Sequence, residues 1–126
     1  MIHPGGCLCG ALRFEAEGEP EDAGYCHCRM CQRSSGAPAQ VWAVFAFEKF
    51  RFLKGTPATY RSSDHGRRDF CAVCGSQVGF RDAASYGLNV ACLDDPEAIP
   101  PRRHIWTESR LSWFDAGPGL PESPEG

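Results

Sequence analysis

Seven of the eight cysteines in this 126-residue chain fall in three tight groups, Cys7-x-Cys9, Cys26-x-Cys28-x-x-Cys31 and Cys71-x-x-Cys74. This is the spacing of thiolate ligands to a metal, and the odd number is informative. A closed tetrahedral zinc site takes four thiolates, so two pairs complete one site while the triplet grips a second ion and leaves a coordination position open. Cys71-Ala72-Val73-Cys74-Gly75-Ser76 reads as a zinc knuckle, with Gly75 accepting the backbone angles that turn N–H groups toward sulfur. It needs a second pair, and Cys7 with Cys9 is the pair that lies outside the triplet. An ion shared between them staples the start of the chain to its middle. Three thiolates on Zn²⁺ leave it a poor generator of hydroxide but a good docking point for a thiol brought from outside, which would bind as thiolate and act as nucleophile or leaving group.

Iron–sulfur ligation and disulfides are the competing readings of so many cysteines. Cys-x-Cys pairs are poor disulfides, because bridging residues two apart fights the preferred Cα separation. No basic segment followed by an apolar run opens the chain at Met1 to Cys7, so the expectation is a reduced, cytoplasmic protein, and no stretch has the length of a membrane span. His27 lies between two ligands in sequence and is expected to point away from the metal, into the surroundings of the site or to the surface, rather than to ligate it. Cys92, expected on the strand face of Leu88 and Val90, reads as a buried apolar thiol rather than a redox nucleophile.

The formal charge is −3, and seven thiolates with two divalent ions take the loaded chain to about −6. Nothing in that balance recruits nucleic acid. Eleven of the thirteen cations are arginine, a preference that suits planar carboxylates and equally follows from general composition bias. Arg33, Arg67 and Arg68 are the candidates for contacts to a substrate carboxylate.

The elements that must position these groups read as mostly β. Apolar residues alternate in short runs bounded by Gly, Pro and Asp, and no segment keeps a helical period over three turns. Leu12, Phe14 and Ala16 share one face of a first strand, and Val41 to Phe47, apolar on both faces, reads as a central one. Strands are further expected at Phe50 to Leu53, around Thr59 to Arg61, and at Arg67 to Phe70, Gln77 to Phe80, Tyr86 to Cys92 and His104 to Thr107. One helical turn is expected from Met30 to about Ser35, closed by Gly36. Residues 1–116 form one zinc-binding domain in this reading. Residues 117–126, rich in Gly and Pro, are expected to be a disordered tail.

The ordered triple cluster resembles the family of glutathione-dependent formaldehyde-activating enzymes, which includes centromere protein V. The residues that carry the likeness are Gly6-Cys7-Leu8-Cys9-Gly10 with Leu12-Arg13-Phe14, Cys26-His27-Cys28 to Cys31, and Ser35-Gly36-Ala37-Pro38. Gly55-Thr56-Pro57 with Tyr60 and Ser62-Ser63, Arg68 with Phe70-Cys71 to Cys74-Gly75-Ser76, Leu93-Asp94-Asp95-Pro96 and His104-Ile105-Trp106 complete it. The resemblance implies a β-tent fold of folded antiparallel sheets. It implies two Zn²⁺, a structural one on Cys7, Cys9, Cys71 and Cys74 and a second on Cys26, Cys28 and Cys31. It further implies a carbon–sulfur lyase activity: reversible addition of a thiol such as glutathione to formaldehyde.

The favoured function is therefore an enzyme acting on a small thiol and an aldehyde, with no nucleic acid or membrane as partner. The alternative is a non-catalytic zinc-stabilised protein-binding module, and the fourth ligand of the triplet divides the two. A reductase using Cys92 as nucleophile is weaker, since Cys92 has no basic neighbour in sequence. The pattern leaves the oligomeric state, the thiol and the aldehyde open.

Overall fold

The computed structural model describes residues 1–126 as two sheets packed face to face. Strands β1 (Ile2–Gly6) and β2 (Arg13–Glu17) form a three-stranded antiparallel sheet with β5 (Phe50–Lys54), in the order β1-β2-β5. The larger sheet has seven strands: β3 (Asp22–Cys26), β4 (Gln40–Ala46), β6 (Ala58–Arg61), β7 (Arg67–Phe70), β8 (Gln77–Arg81), β9 (Ser85–Asn89) and β10 (His104–Ile105). Their order is β10-β3-β4-β9-β8-β7-β6, antiparallel throughout except for the parallel pairing of β10 with β3. The one helix, α1 (Arg29–Ser35), connects β3 to β4. The fold is mainly β with little helix, as expected.

Period-two alternation decides which face each residue meets. In β2, Phe14 and Ala16 are fully buried while the charged residues that alternate with them, Arg13, Glu15 and Glu17, face outward. Ala43 and Phe45 of β4 and Tyr86 and Leu88 of β9 turn into the same core. There Phe50 stacks on Tyr86 with ring centroids 3.8 Å apart. The opposite face of the large sheet carries Trp42 and Val44 of β4 and Ser85, Gly87 and Asn89 of β9. This second face forms the floor of a cavity.

Two strands lie where the sequence signalled none. β1 contains Pro4, which cannot donate to a ladder, yet β1 is a sheet edge, with β2 as its one strand neighbour and a single bridge from Gly5 to Leu93 on the other side. β3 contains Gly24, where a Cβ would stand 2.6 Å from the Arg103 carbonyl oxygen. That close approach of two backbones is what the glycine permits.

Two expectations are corrected. The strand expected to run to Cys92 stops at Asn89, and Val90–Cys92 winds into a 3-10 turn, from which Cys92, half-buried, still packs against the core that holds Leu88. The tail expected to be disordered lies along β10. The His104 N–H donates to the Pro121 carbonyl, Ser123 N–H to the His104 carbonyl, and Trp106 N–H to the Glu125 carbonyl. β10 is an edge, and the tail satisfies backbone groups that its own composition could not have paired in a regular strand.

Candidate metal centres and their cavity

The loop between β1 and β2 brings Cys7 and Cys9 to the loop between β7 and β8 that holds Cys71 and Cys74, and the four sulfurs lie within 4.8 Å of one another. Cys7 and Cys9 sulfurs are 3.7 Å apart, and Cys9 and Cys71 are 3.8 Å apart. A tetrahedron with metal–sulfur bonds of about 2.3 Å has edges of about 3.8 Å, so the donor set fits zinc in geometry as well as chemistry. Backbone N–H groups point at the sulfurs: Leu12 donates to Cys7 at 3.2 Å and Val73 to Cys71 at 3.4 Å. The Ser76 hydroxyl accepts from Leu8 N–H at 2.9 Å and sits 3.2 Å from the Cys74 sulfur. That hydroxyl, helped by backbone N–H groups, holds the Cys74 thiol down to about 5.

The second cluster grows from the end of β3 into the helix. Cys26 is the last residue of β3, Cys28 is the N-cap of α1, and Cys31 lies in its first turn. The Cys31 N–H donates to the Cys28 sulfur at 3.2 Å, so the sulfur that caps the helix is also a candidate ligand. Cys26 and Cys31 sulfurs are 3.2 Å apart, and all three lie within 4.8 Å. Gly36, at φ 68°, closes the helix by donating its N–H to the Gln32 carbonyl.

Hydrogen bonds from Cys26 and then Cys31, against desolvation, hold the Cys28 thiol down to about 2, and the same contacts push Cys26 far above the ordinary thiol range. The three thiols give up protons, and the cluster gains negative charge, when a cation binds. Arg68 of β7 matches that charge. Its guanidinium lies 3.8 Å and 3.9 Å from the Cys31 sulfur, and it also donates to Ser34 Oγ and Gln40 Oε1, each at 3.2 Å. Each cluster can hold a metal ion, and no His, Asp or Glu joins the three sulfurs of the second.

His27 is fully buried and directed away from the sulfurs. Its Nε2 lies 2.8 Å from His104 Nδ1, and His104 Nε2 lies 3.1 Å from the Gly117 carbonyl. Since a carbonyl only accepts, His104 carries its proton on Nε2 and His27 donates through its own Nε2. Burial, then the nearby Arg110 charge, pulls the His27 pKa down and keeps it neutral. Of the two placements expected for it, the interior is the one found.

The arginines part company. Arg68 is 8% exposed and committed to the cluster. Arg33 lines a groove with Tyr60 and Gln77, and Met30 and Arg68 line it as well. Arg67 donates to the Gly66 carbonyl and lines neither that groove nor the cavity. Cys92 donates to the Gln77 carbonyl at 3.3 Å, and burial pushes its thiol up to about 11.

The three cysteines of the second cluster face a cavity of about 290 Å³ walled by Trp42, Val44, Phe80, Ile105 and Trp106. Sequence reasoning missed these walls. A signal was present in β4, where Trp42 and Val44 alternate with the core residues Ala43 and Phe45: a strand apolar on both faces either lies between two layers or lines a pocket.

A sequence model of the family described as glutathione-dependent formaldehyde-activating enzyme matches residues 2–109, a span containing all seven clustered cysteines. A Halomonas elongata protein provisionally named glutathione-dependent formaldehyde-activating enzyme is 24% identical over 127 aligned positions, covering 91% of this chain and 81% of the relative. A crystal structure of a Rhodobacter sphaeroides protein superposes with a TM-score of 0.62 at 29% identity, over 81% of this chain and 93% of the other.

Proposed function

The chain belongs to the glutathione-dependent formaldehyde-activating enzyme family, and from that premise we propose that it is a zinc-dependent enzyme of the carbon–sulfur lyase type. It reversibly adds a thiol to an aldehyde beside Cys26, Cys28 and Cys31. The family description and the name of the Halomonas relative supply glutathione and formaldehyde as the reference pair. One observation carries the reading: three sulfurs converge at the wall of a cavity with no fourth protein ligand among them.

Zinc held by these three sulfurs would favour the thiolate form of a fourth sulfur arriving from the cavity. Arg68 offsets the negative charge of the cluster and, held by Ser34 and Gln40, fixes the Cys31 sulfur in position. Trp42, Phe80 and Trp106 wall the space beside the nucleophile. The thiol loses its proton, its sulfur bonds to the carbonyl carbon, and the oxygen takes a proton as the C=O π pair moves onto it. In the reverse direction the C–S bond breaks and the thiolate leaves. Cys7, Cys9, Cys71 and Cys74 hold the structural ion.

A non-catalytic binding module requires a protein ligand that closes the triplet. His27, the nearest by sequence, is bonded to His104 instead, which favours the enzyme. No helix is long and apolar enough to cross a membrane, and a reducing cytoplasm would keep seven thiols available to metal. Exchange spectroscopy on carbon-13 formaldehyde with a thiol tests the activity. The zinc-loaded protein should speed interconversion of aldehyde and hemithioacetal, and Cys28→Ser should remove that effect. Equal rates with and without protein would refute it.

A further inference from the structure

The cavity beside Cys26, Cys28 and Cys31 is far larger than a one-carbon aldehyde and a sulfur atom require, at about 290 Å³. Its surplus is apolar, with two tryptophans and a phenylalanine among its walls. Two charged side chains reach it, Arg68 and Asp82. Arg68 is already committed to Cys31, Ser34 and Gln40 and lies over the Phe80 ring at 5.2 Å. The Asp82 Oδ1 accepts from the Ala84 and Ser85 N–H groups. Neither is a free cation.

A carboxylate carried into this space would be poorly placed. Three thiolates on a divalent ion are negative, the arriving thiolate adds charge, and Asp82 adds more. A carboxylate on the same molecule would meet aromatic walls, like charge and, apart from the committed Arg68, only the neutral polar groups of Gln40, Ser63, Ser85 and Asn89. An aromatic or branched body gains about 25 cal/mol for each Å² it removes from water and finds ring faces to stack on. The groove that holds Arg33 adjoins the cavity, sharing Met30 and Arg68 with it, but none of the three cysteines lines it.

Resting on the open-cluster reading above, we propose that the thiol this site takes is small and uncharged, with an aromatic or branched aliphatic body seated in the cavity, rather than an anionic peptide thiol such as glutathione. The covalent step is unchanged: the S–H proton is released, the S–C bond forms, the carbonyl oxygen is protonated, and no oxidant or reductant is needed.

Calorimetric titration of the zinc-loaded full chain tests this, with phenylmethanethiol, glutathione and the methyl thioether of phenylmethanethiol as probes. Gly87 is on the cavity floor, and a Cβ there meets nothing nearer than the Phe80 carbonyl oxygen at 3.4 Å. Gly87→Leu therefore fills the cavity without touching the cluster, and Gly87→Ala is a milder variant should the first fail to fold. Phenylmethanethiol should bind at least tenfold tighter than glutathione and than its own thioether. Gly87→Leu should weaken it about tenfold, Gly87→Ala less, with glutathione unaffected. Glutathione binding as tightly as phenylmethanethiol, or both probes ignoring Gly87, overturns the proposal while leaving thiol binding at the cluster intact. Binding of no thiol at all overturns this proposal and the open-cluster reading together.

Discussion

The Arg68 guanidinium lies 3.8 Å from the Cys31 sulfur, having crossed from β7 to reach the helix that follows β3. A single side chain thus couples the charge of the candidate active cluster to the far side of the large sheet.

Arg68→Gln should lower metal affinity at the three-cysteine cluster by about 10- to 100-fold, the usual effect of removing a group that orients and charge-matches a ligand. Affinity at the four-cysteine site should be unchanged. Competition with a chromogenic chelator resolves the two stoichiometric steps, and equal weakening of both would show that Arg68 acts on the whole fold.

Cys28→Ser and Cys74→Ser should behave differently although each removes one sulfur. Serine is itself a favoured N-cap, so at position 28 it keeps the start of α1 and loses only a ligand. At position 74 the loss falls on a site joining segments 62 residues apart. A structural zinc can supply on the order of 10–16 kcal/mol, comparable to the whole net stability of a small domain. Circular dichroism should find Cys28→Ser folded with one metal per chain and Cys74→Ser largely unfolded.

Tyr86 donates its hydroxyl to Asp69 Oδ2 at 3.0 Å, and Asp69 is 1% exposed. Arg81 and Thr59 also donate to this carboxylate. Tyr86→Phe keeps the ring stacked on Phe50 and removes one charge-assisted bond, so chemical denaturation should register a loss of about 1.5–3 kcal/mol. A change below measurement error would mean that Arg81 and Thr59 satisfy the carboxylate by themselves.

Burial raises the Cys92 thiol from 9.0 to about 11. The folded chain therefore keeps a proton that the unfolded chain releases between those values. Stability from this group is complete below the unfolded value and is lost as pH rises through the folded one. In the zinc-loaded protein, alkylation of Cys92 by iodoacetamide should be slow at pH 8 and climb toward pH 11, as mass spectrometry of the labelled peptide would record. Rapid labelling at pH 8 would contradict a buried, protonated thiol.

Which parts of this were legible in the residues follows from the range of each signal. Thiolate spacing is a local rule, so the partition into Cys7, Cys9, Cys71 and Cys74 against Cys26, Cys28 and Cys31 could be written before any coordinates, and the sulfurs do converge in those groups. Alternation is equally local, which is why β2, β4 and β8 were found near their true limits. β1 and β3 were missed because Pro4 and Gly24 break the local pattern, and only an edge position or a close neighbouring backbone makes them acceptable. The cavity was missed for a related reason. Trp42 and Val44 announce an apolar second face, but whether that face is covered or open depends on where α1 and Trp106 fall.

The strip of chain from Pro121 to Glu125 lies outside the region matched to the family, which stops at residue 109. A version trimmed to that boundary would keep every metal ligand yet bare the margin of β10, with the backbone groups of His104 and Trp106 left without mates. Such a margin accepts a strand from any neighbour, so the shortened protein would be prone to stick to itself. What looks by composition like dispensable trailing sequence serves as a selvedge, stopping the sheet from fraying into its neighbours.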